Sequence, residues 1–187
     1  QKMQEEFVLV ELLKRTAEKA AESGHKMVVF DAPMIDPAIV NGKNRRAIKE
    51  ILLQLVRNSV FHGIEEPEYR IELGKEKVGL IELTAKTEGD VMVIELRDNG
   101  KGLDFDAIAQ KALTKHLITE AQAKDKSVLT KIIFSSGFST AEQADMYAGR
   151  GVGLNLVKDR VKELGGTIKL QSEKGKGTKF IITVPAA

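Results

Sequence analysis

The chain has 187 residues, 42% hydrophobic and 30% charged, the balance of a globular protein long enough to bury its own core. Its formal net charge of +2 is too small to argue for nucleic acid, and no apolar run has the length of a membrane span. With no cysteine, disulfides and thiolate metal sites are excluded. The opening at Gln1 reads as a piece cut from a larger protein, and a cytoplasmic location is expected.

Over residues 5–23, Phe7, Val8, Leu12, Leu13, Ala17 and Ala20 recur at helical spacing, and Gly24 supplies a stop. A short β-branched run at 26–31, bounded by Gly and Pro, predicts a strand. Asp36-Pro37 reads as a cap followed by proline at a first helical position. Residues 45–61 predict a helix with Ile48, Ile51, Leu52, Leu55 and Val56 on one face. Alternating runs at 79–86 and 91–97, joined by Thr87-Glu88-Gly89-Asp90, predict a hairpin. A capped helix is expected over 104–114. Over 116–148 comes a long weakly patterned stretch of short helical pieces and small polar residues, the usual mark of a functional lid or a mobile segment. Residues 151–164 predict a helix stopped at Gly165-Gly166, and 167–172 with 178–184 a final strand pair. Runs of helix and hairpin, without strict strand–helix alternation, point to an α+β fold: helices on one face of a mixed, largely antiparallel sheet.

Four segments carry candidate chemistry. Gln54, Asn58 and His62 are four residues apart, drifting roughly 40° about the helix axis per step. Oxygens at that spacing can hold a hard cation through one direct ligand while waters and substrate phosphates complete its shell, as Mg²⁺ is bound. A solvated flank of an amphipathic helix has the same spacing. Asp98-Asn99-Gly100-Lys101-Gly102 follows a strand directly. A carboxylate there can accept from an exocyclic amine, and glycines let a planar ring approach the backbone. By itself, Asp-Asn-Gly is first of all a turn signal. Gly149-Arg150-Gly151-Val152-Gly153-Leu154 opens a helix, where N–H groups and the macrodipole favour an anion. No strand precedes it and no Walker A tripeptide follows, so neither common phosphate-loop reading holds. The fourth segment is Gly175-Lys176-Gly177-Thr178.

In this order the segments resemble the ATP-binding domain of GHKL ATPases, and their wording is most similar to the catalytic domain of chemotaxis-type (CheA-like) histidine kinases. The likeness covers residues 36–185 and implies a two-layer Bergerat sandwich that uses ATP and Mg²⁺. The implied reaction is γ-phosphoryl transfer to a histidine on another domain or protein, with a response regulator beyond it. A dimeric parent protein is implied as well, with no nucleic acid and no direct membrane contact. By the resemblance Asn58 is the Mg²⁺ ligand, and Gln54 and His62 are the catalytic candidates, His62 close to the phosphates and Gln54 able to orient the acceptor by hydrogen bonding. The resemblance also makes Asp98 the residue that recognises the adenine amino group. Gly100, Lys101 and Gly102 border that site, with Thr178 at the adenine edge. Gly149, Arg150, Gly151, Val152, Gly153 and Leu154 form the C-terminal edge of an ATP lid over about 115–150, whose Phe134-Ser135-Ser136-Gly137-Phe138-Ser139-Thr140 matches the family's phenylalanine box. Residues 1–24 become a connecting helix and 25–187 the catalytic domain. Arg70 and Lys75 also recur in the family's pattern as candidates for a nucleotide role, while His25 and His116 read as ordinary loop residues.

Two positions depart from the pattern. Gln54 stands where the family has histidine or a glutamate base, and an amide takes no proton near neutral pH. That disfavours ATP hydrolysis more than phosphoryl transfer, which rests on positioning and charge neutralisation. Phe61 stands where an aspartate is usual, removing a carboxylate near the phosphates. An ATP-sensing or regulatory binding module is the alternative that these residues support.

Overall fold

The computed structural model describes residues 2–135 and 153–186. In chain order its elements are α1 (Lys2–Ser23), β1 (Val28–Ile35), α2 (Ala38–Asn41), α3 (Arg45–Asn58), a π-helical turn (Ser59–Gly63), α4 (Pro67–Glu72), β2 (Gly79–Glu88) and β3 (Val91–Asp98). Then come α5 (Phe105–Thr114), a 3₁₀ turn (Gln122–Lys124), α6 (Lys126–Ile133), α7 (Leu154–Glu163), β4 (Thr167–Glu173) and β5 (Gly177–Pro185). The chain divides into two compact units, Gln1–Gly102 with Arg160–Ala187, and Leu103–Asp159.

The larger unit holds the sheet, in the order β1-β2-β3-β5-β4. β1 and β2 pair in parallel, and the other neighbours are antiparallel. Alternation sorts the strands' two faces. Ile81, Leu83, Ala85, Met92, Ile94, Leu96, Phe180, Ile182 and Val184 are buried on one face, where they share a core with Ile48, Ile51, Leu52, Leu55 and Val56 of α3. The opposite face carries Glu82, Thr84, Glu95, Arg97 and Lys179 around a shallow pocket of about 130 Å³. The expected α+β sheet with helices on one face is the fold observed.

Three local expectations need correction. On α1 the buried residues are Leu9, Leu13, Ala17, Ala20 and Ala21, while Phe7 and Val8 are each 64% exposed. The helix was found, but Phe7, Val8 and Leu12 lie off its buried face. β1 continues past the predicted end to Ile35, with its register to β2 shifting between Asp31 and Met34, where Pro33 lies. Proline has no N–H for the ladder and is tolerated on an edge strand such as this. The helix from Arg45 changes character at its end: Ile64 N donates to Ser59 O at 2.8 Å, a π-type bond that closes a wider turn.

Four of the described helices end in the same way. After α1, Lys26 N donates to Ala21 O at 2.8 Å and His25 N to Glu22 O at 3.3 Å, with His25 at φ 55°. This is a Schellman motif, and it repeats after α4 around Gly74, after α5 around His116 (φ 56°) and after α7 around Gly165. Gly24 is therefore the residue before the left-handed one, and the two histidines are not ordinary loop residues. They hold a backbone conformation that a β-carbon disfavours.

In the smaller unit, Asp104 caps α5 by accepting from Ala107 N at 3.1 Å, and Asp125 caps α6 by accepting from Ser127 N at 2.9 Å. Ala109, Ala112, Leu129 and Phe134 are buried there, so part of the weakly patterned stretch is capped helix.

Relief of the left-handed strain gives a prediction. His25→Gly should raise unfolding stability by about 0.5–1 kcal/mol, and the β-branched His25→Val should lower it. Urea midpoints of the three proteins check this.

Candidate functional site

The site begins at the end of β3, where Asp98 pairs with Ile81 on one side and Thr178 on the other. It is 4% exposed, a carboxylate placed on the core face of a strand. Its Oδ1 accepts from Gly100 N at 2.9 Å, and the Ser59 hydroxyl and the Thr178 N–H donate to the carboxylate as well. Burial nonetheless dominates and pushes Asp98 up to about 6, with the donors from Gly100, Ser59 and Thr178 pulling the other way. A carboxylate has about four acceptor positions, so three donors leave capacity for another.

The backbone around Asp98 is packed to its limit. A β-carbon on Gly100 would lie 2.1 Å from the Gly63 carbonyl oxygen, and one on Gly102 would lie 2.1 Å from the Glu173 carbonyl oxygen. These glycines let three loops meet: the π-helical turn, the loop after β3, and the β4–β5 turn. Lys101 N donates to Gly63 O at 2.8 Å and Gly175 N to Lys101 O at 2.6 Å, which ties the three together. Ser172 Oγ donates to Gly177 O at 3.0 Å and shares a 2.9 Å hydrogen bond with Thr178 Oγ1.

Asn58 ends α3 and Ser59 opens the π-helical turn, so the residue proposed for a metal immediately precedes a donor to Asp98. Gln54 lies one helical turn earlier, and its Nε2 is buried with no hydrogen-bond partner among the described residues. His62 and Lys101 line an open pocket of about 330 Å³ with Lys26, Phe61, Glu66 and Tyr69. Burial, reinforced by the Lys101 and Lys26 charges, pushes His62 down to about 4, so its imidazole is neutral at pH 7. Among the described residues no cluster of three His, Cys, Asp or Glu side chains could hold a metal.

Arg70 and Lys75 have another task. Arg70 Nη1 donates to Glu65 Oε1 at 2.7 Å and Lys75 Nζ to Glu65 Oε2 at 2.6 Å. Arg70 also reaches Asn99 O at 3.2 Å, and Lys75 reaches Gly100 O at 2.9 Å. Burial alone would raise Glu65, but the Lys75 hydrogen bond and the two cations hold it below its ordinary value. This ion cluster therefore clamps the loop after β3 from behind. Asn99 completes the clamp by accepting from Leu80 N through its side chain at 2.8 Å.

Asn58, His62, Asp98, Gly100, Lys101, Gly102 and Thr178 thus belong to one unit. Gly153 and Leu154, at the start of α7, belong to the other. Gly149, Arg150, Gly151 and Val152, with the part of the phenylalanine box from Ser136 onward, lie outside the described residues. Sequence reasoning missed Ser59, Asn99, Ser172 and Lys26. Ser59 alone had a local signal, a hydroxyl next to Asn58.

A mixed sheet covered by helices on one face, ending in a buried carboxylate among glycine-tight loops, is the architecture of an α+β nucleotide-binding domain. Comparison with known proteins makes this specific. The profile of the histidine kinase-, DNA gyrase B- and HSP90-like ATPases matches residues 43–187, and the chain belongs to that family. It is 42% identical over 147 residues to the chemotaxis protein CheA of Bacillus subtilis, covering 76% of this chain and 22% of that protein. It is 46% identical over 134 residues to CheA of Borreliella burgdorferi, covering 72% and 16%. The chain thus spans about a fifth of the length of these relatives. The fold is similar to the catalytic domain of histidine kinase ThkA, with TM-score 0.54 at 19% identity over 95% of this chain and 90% of that one.

Two predictions follow from the site. Arg70→Met leaves the buried Glu65 carboxylate to Lys75 and should cost less than Arg70→Met with Lys75→Met, which strands it and should cost about 3–5 kcal/mol in urea denaturation. The second concerns pH. The folded value of Asp98, about 6, lies above the unfolded 3.8, so the native state holds a proton that the unfolded chain has released. This contribution is fully present below about pH 4 and is lost as pH rises through 6, about 3 kcal/mol in all. Asp98→Asn should remove that slope, seen as a difference in unfolding free energy between pH 4 and pH 7.

Proposed function

We propose that this domain binds Mg²⁺-ATP at the Asp98 end of the sheet and donates the γ-phosphoryl group to a histidine on another domain or protein. The observation that carries the reading is the Asp98 carboxylate, buried, ringed by donors and still able to accept. An adenine amino group supplies the missing donor, and its N–H dipole favours the charged carboxylate that burial disfavours. Gly63 and Gly100 flank that carboxylate with main chain, since a β-carbon on either would lie about 3 Å from it.

The residues present fit the implied cofactors. Gln54 Nε2 is a buried donor, and leaving such a group unpaired costs about 1–3 kcal/mol, which an acceptor oxygen from a phosphate offsets. Asn58 offers one neutral amide oxygen, the sparing protein contribution that Mg²⁺ accepts when phosphates supply other ligands. Bound there, Mg²⁺ supplies neutralisation of phosphate charge as the phosphoryl group departs. His62, neutral, serves as a hydrogen-bonding group and not as a fixed cation; Lys101 provides the charge. Gln54 holds no proton to give or take, so its part is orientation of phosphate or acceptor. Gly149, Arg150, Gly151, Val152, Gly153 and Leu154 are proposed as the phosphate-covering edge of the lid.

Residues 1–24 are proposed as the connection to a further module, and a phosphoacceptor domain, a response regulator and a dimeric parent as the partners. The identity to the CheA proteins supports this, as a statement about a segment of such proteins. The presence of Phe61 in the His62 pocket favours a second reading, an ATP-sensing module of low transfer rate. Transfer of ³²P from ATP to a candidate acceptor domain separates the two.

Calorimetric titration with ATP, with Mg²⁺ and with EDTA, tests the reading. Wild type should bind more tightly with Mg²⁺, and Asn58→Ala should bind with nearly equal affinity in both. Persistent Mg²⁺ dependence in Asn58→Ala would place the metal elsewhere, and no binding by wild type would remove the nucleotide site.

A further inference from the structure

The turn that carries His62 ends in carbonyl groups that its own helix cannot satisfy. At the end of any helix the last carbonyls lack intrahelical donors, and a π-type turn, with its wider spacing, presents them to the side. Here Gly63 O is taken by Lys101 N at 2.8 Å. Val60 O and Phe61 O are both taken by one side chain from far away in sequence: Lys26 Nζ donates to them at 2.7 and 3.0 Å. Lys26 is half-buried to do this, and burial, followed by the Lys101 charge, lowers its affinity for its proton.

The backbone of Lys26 is fixed as well. It occupies the last position of the Schellman motif after α1, its N–H donating to Ala21 O at 2.8 Å. The next residue, Met27, accepts from Gly79 N at 2.8 Å where β1 and β2 begin to pair. A lysine held at both backbone and ammonium thus joins the end of α1 to the turn bearing Phe61 and His62. All three line the same 330 Å³ pocket.

We infer that Lys26 is a positioning residue for the phosphate end of the nucleotide site, holding the Ser59–Gly63 turn so that His62 and the end of α3 keep their binding geometry. The inference rests on the nucleotide reading above. It places no contact between Lys26 and ligand: the ammonium is spent on two carbonyls, and its effect passes through the turn. Asp98 shares one donor, Ser59, with that turn, but its bonds from Gly100 and Thr178 and the Glu65 cluster behind its loop do not pass through Lys26. ATP should therefore feel the loss of Lys26 strongly, and adenosine only weakly.

The test uses the whole 187-residue chain as Lys26→Met, which keeps the stem and removes the donors, and Lys26→Arg, which restores them. Amide hydrogen exchange is followed without nucleotide, and ATP and adenosine are titrated by calorimetry and NMR. In Lys26→Met, protection at residues 59–64 should fall, ATP should bind at least tenfold more weakly, and adenosine should stay within about twofold. Lys26→Arg should bring exchange and ATP affinity back towards wild type. Unchanged exchange in the turn would overturn the inference, as would a loosened turn with unchanged ATP affinity. Equal weakening of both ligands with a general loss of protection would mark a merely structural lysine. Should Lys26→Met not fold, Lys26→Gln, with a shorter donor, carries the same comparison. Wild type failing to bind ATP would sink the nucleotide reading, while the exchange data would still show whether Lys26 holds the turn.

Discussion

The carbonyl of Gly63 lies so close to Gly100 that a single added carbon would sit 2.1 Å from its oxygen. Lys101 N–H closes on the same oxygen at 2.8 Å. Through this contact the end of α3, the end of β3 and the β4–β5 turn become one junction, with the Asp98 carboxylate inside it. Remove it and the donors to Asp98 lose their common frame, since Gly100 N, Ser59 and Thr178 come from the loop after β3, the π-helical turn and β5. Glycine is required here because main chain meets main chain. That reason is distinct from the admission of a ring, which is the role proposed for the same loop.

Two clamps support the junction from outside it. Glu65, Arg70 and Lys75 hold the loop after β3, and Lys26 holds the π-helical turn. Lys26 and Lys75 each occupy the closing position of a Schellman motif, after α1 and after α4. A chain leaving a helix this way turns sharply, and its next residue is held by a backbone bond to the last helical turn. A long side chain at that residue starts from a fixed point, so less freedom is lost when its head group is immobilised. The same helix-stop device is thus used twice to aim a lysine at the site.

Local patterns made much of the fold legible in the sequence. α3, the β2–β3 hairpin, the Asp104 cap and the β4–β5 pair follow from periodicity and turn chemistry within short windows. The ordered motifs likewise single out Asp98, Gly100 and Gly102, which the fold brings into one junction. What could not be read depends on distance along the chain. Lys26 meets Val60 and Phe61 across 34 and 35 residues, and Arg70 meets Asn99 across 29. No spacing rule reaches that far. The face of α1 was misjudged because hydrophobicity marks what can be buried, not what is, and small Ala17, Ala20 and Ala21 take the inner side. The pairing of Arg70 and Lys75 with Glu65 was likewise illegible, since a lysine that meets a carboxylate and one that would meet a phosphate read alike.

β1 presents Val29 and Met34 to solvent, apolar side chains on a strand that, among the described residues, has no neighbour beyond it in the sheet. Such an edge is normally a template for another chain to add a strand. Pro33 supplies no N–H, and the register shift between Asp31 and Met34 breaks the ladder into two short pieces. An incoming strand would find continuous pairing over only one of them. The irregularity that lengthened β1 beyond its predicted end thus also guards the domain against edge-to-edge aggregation.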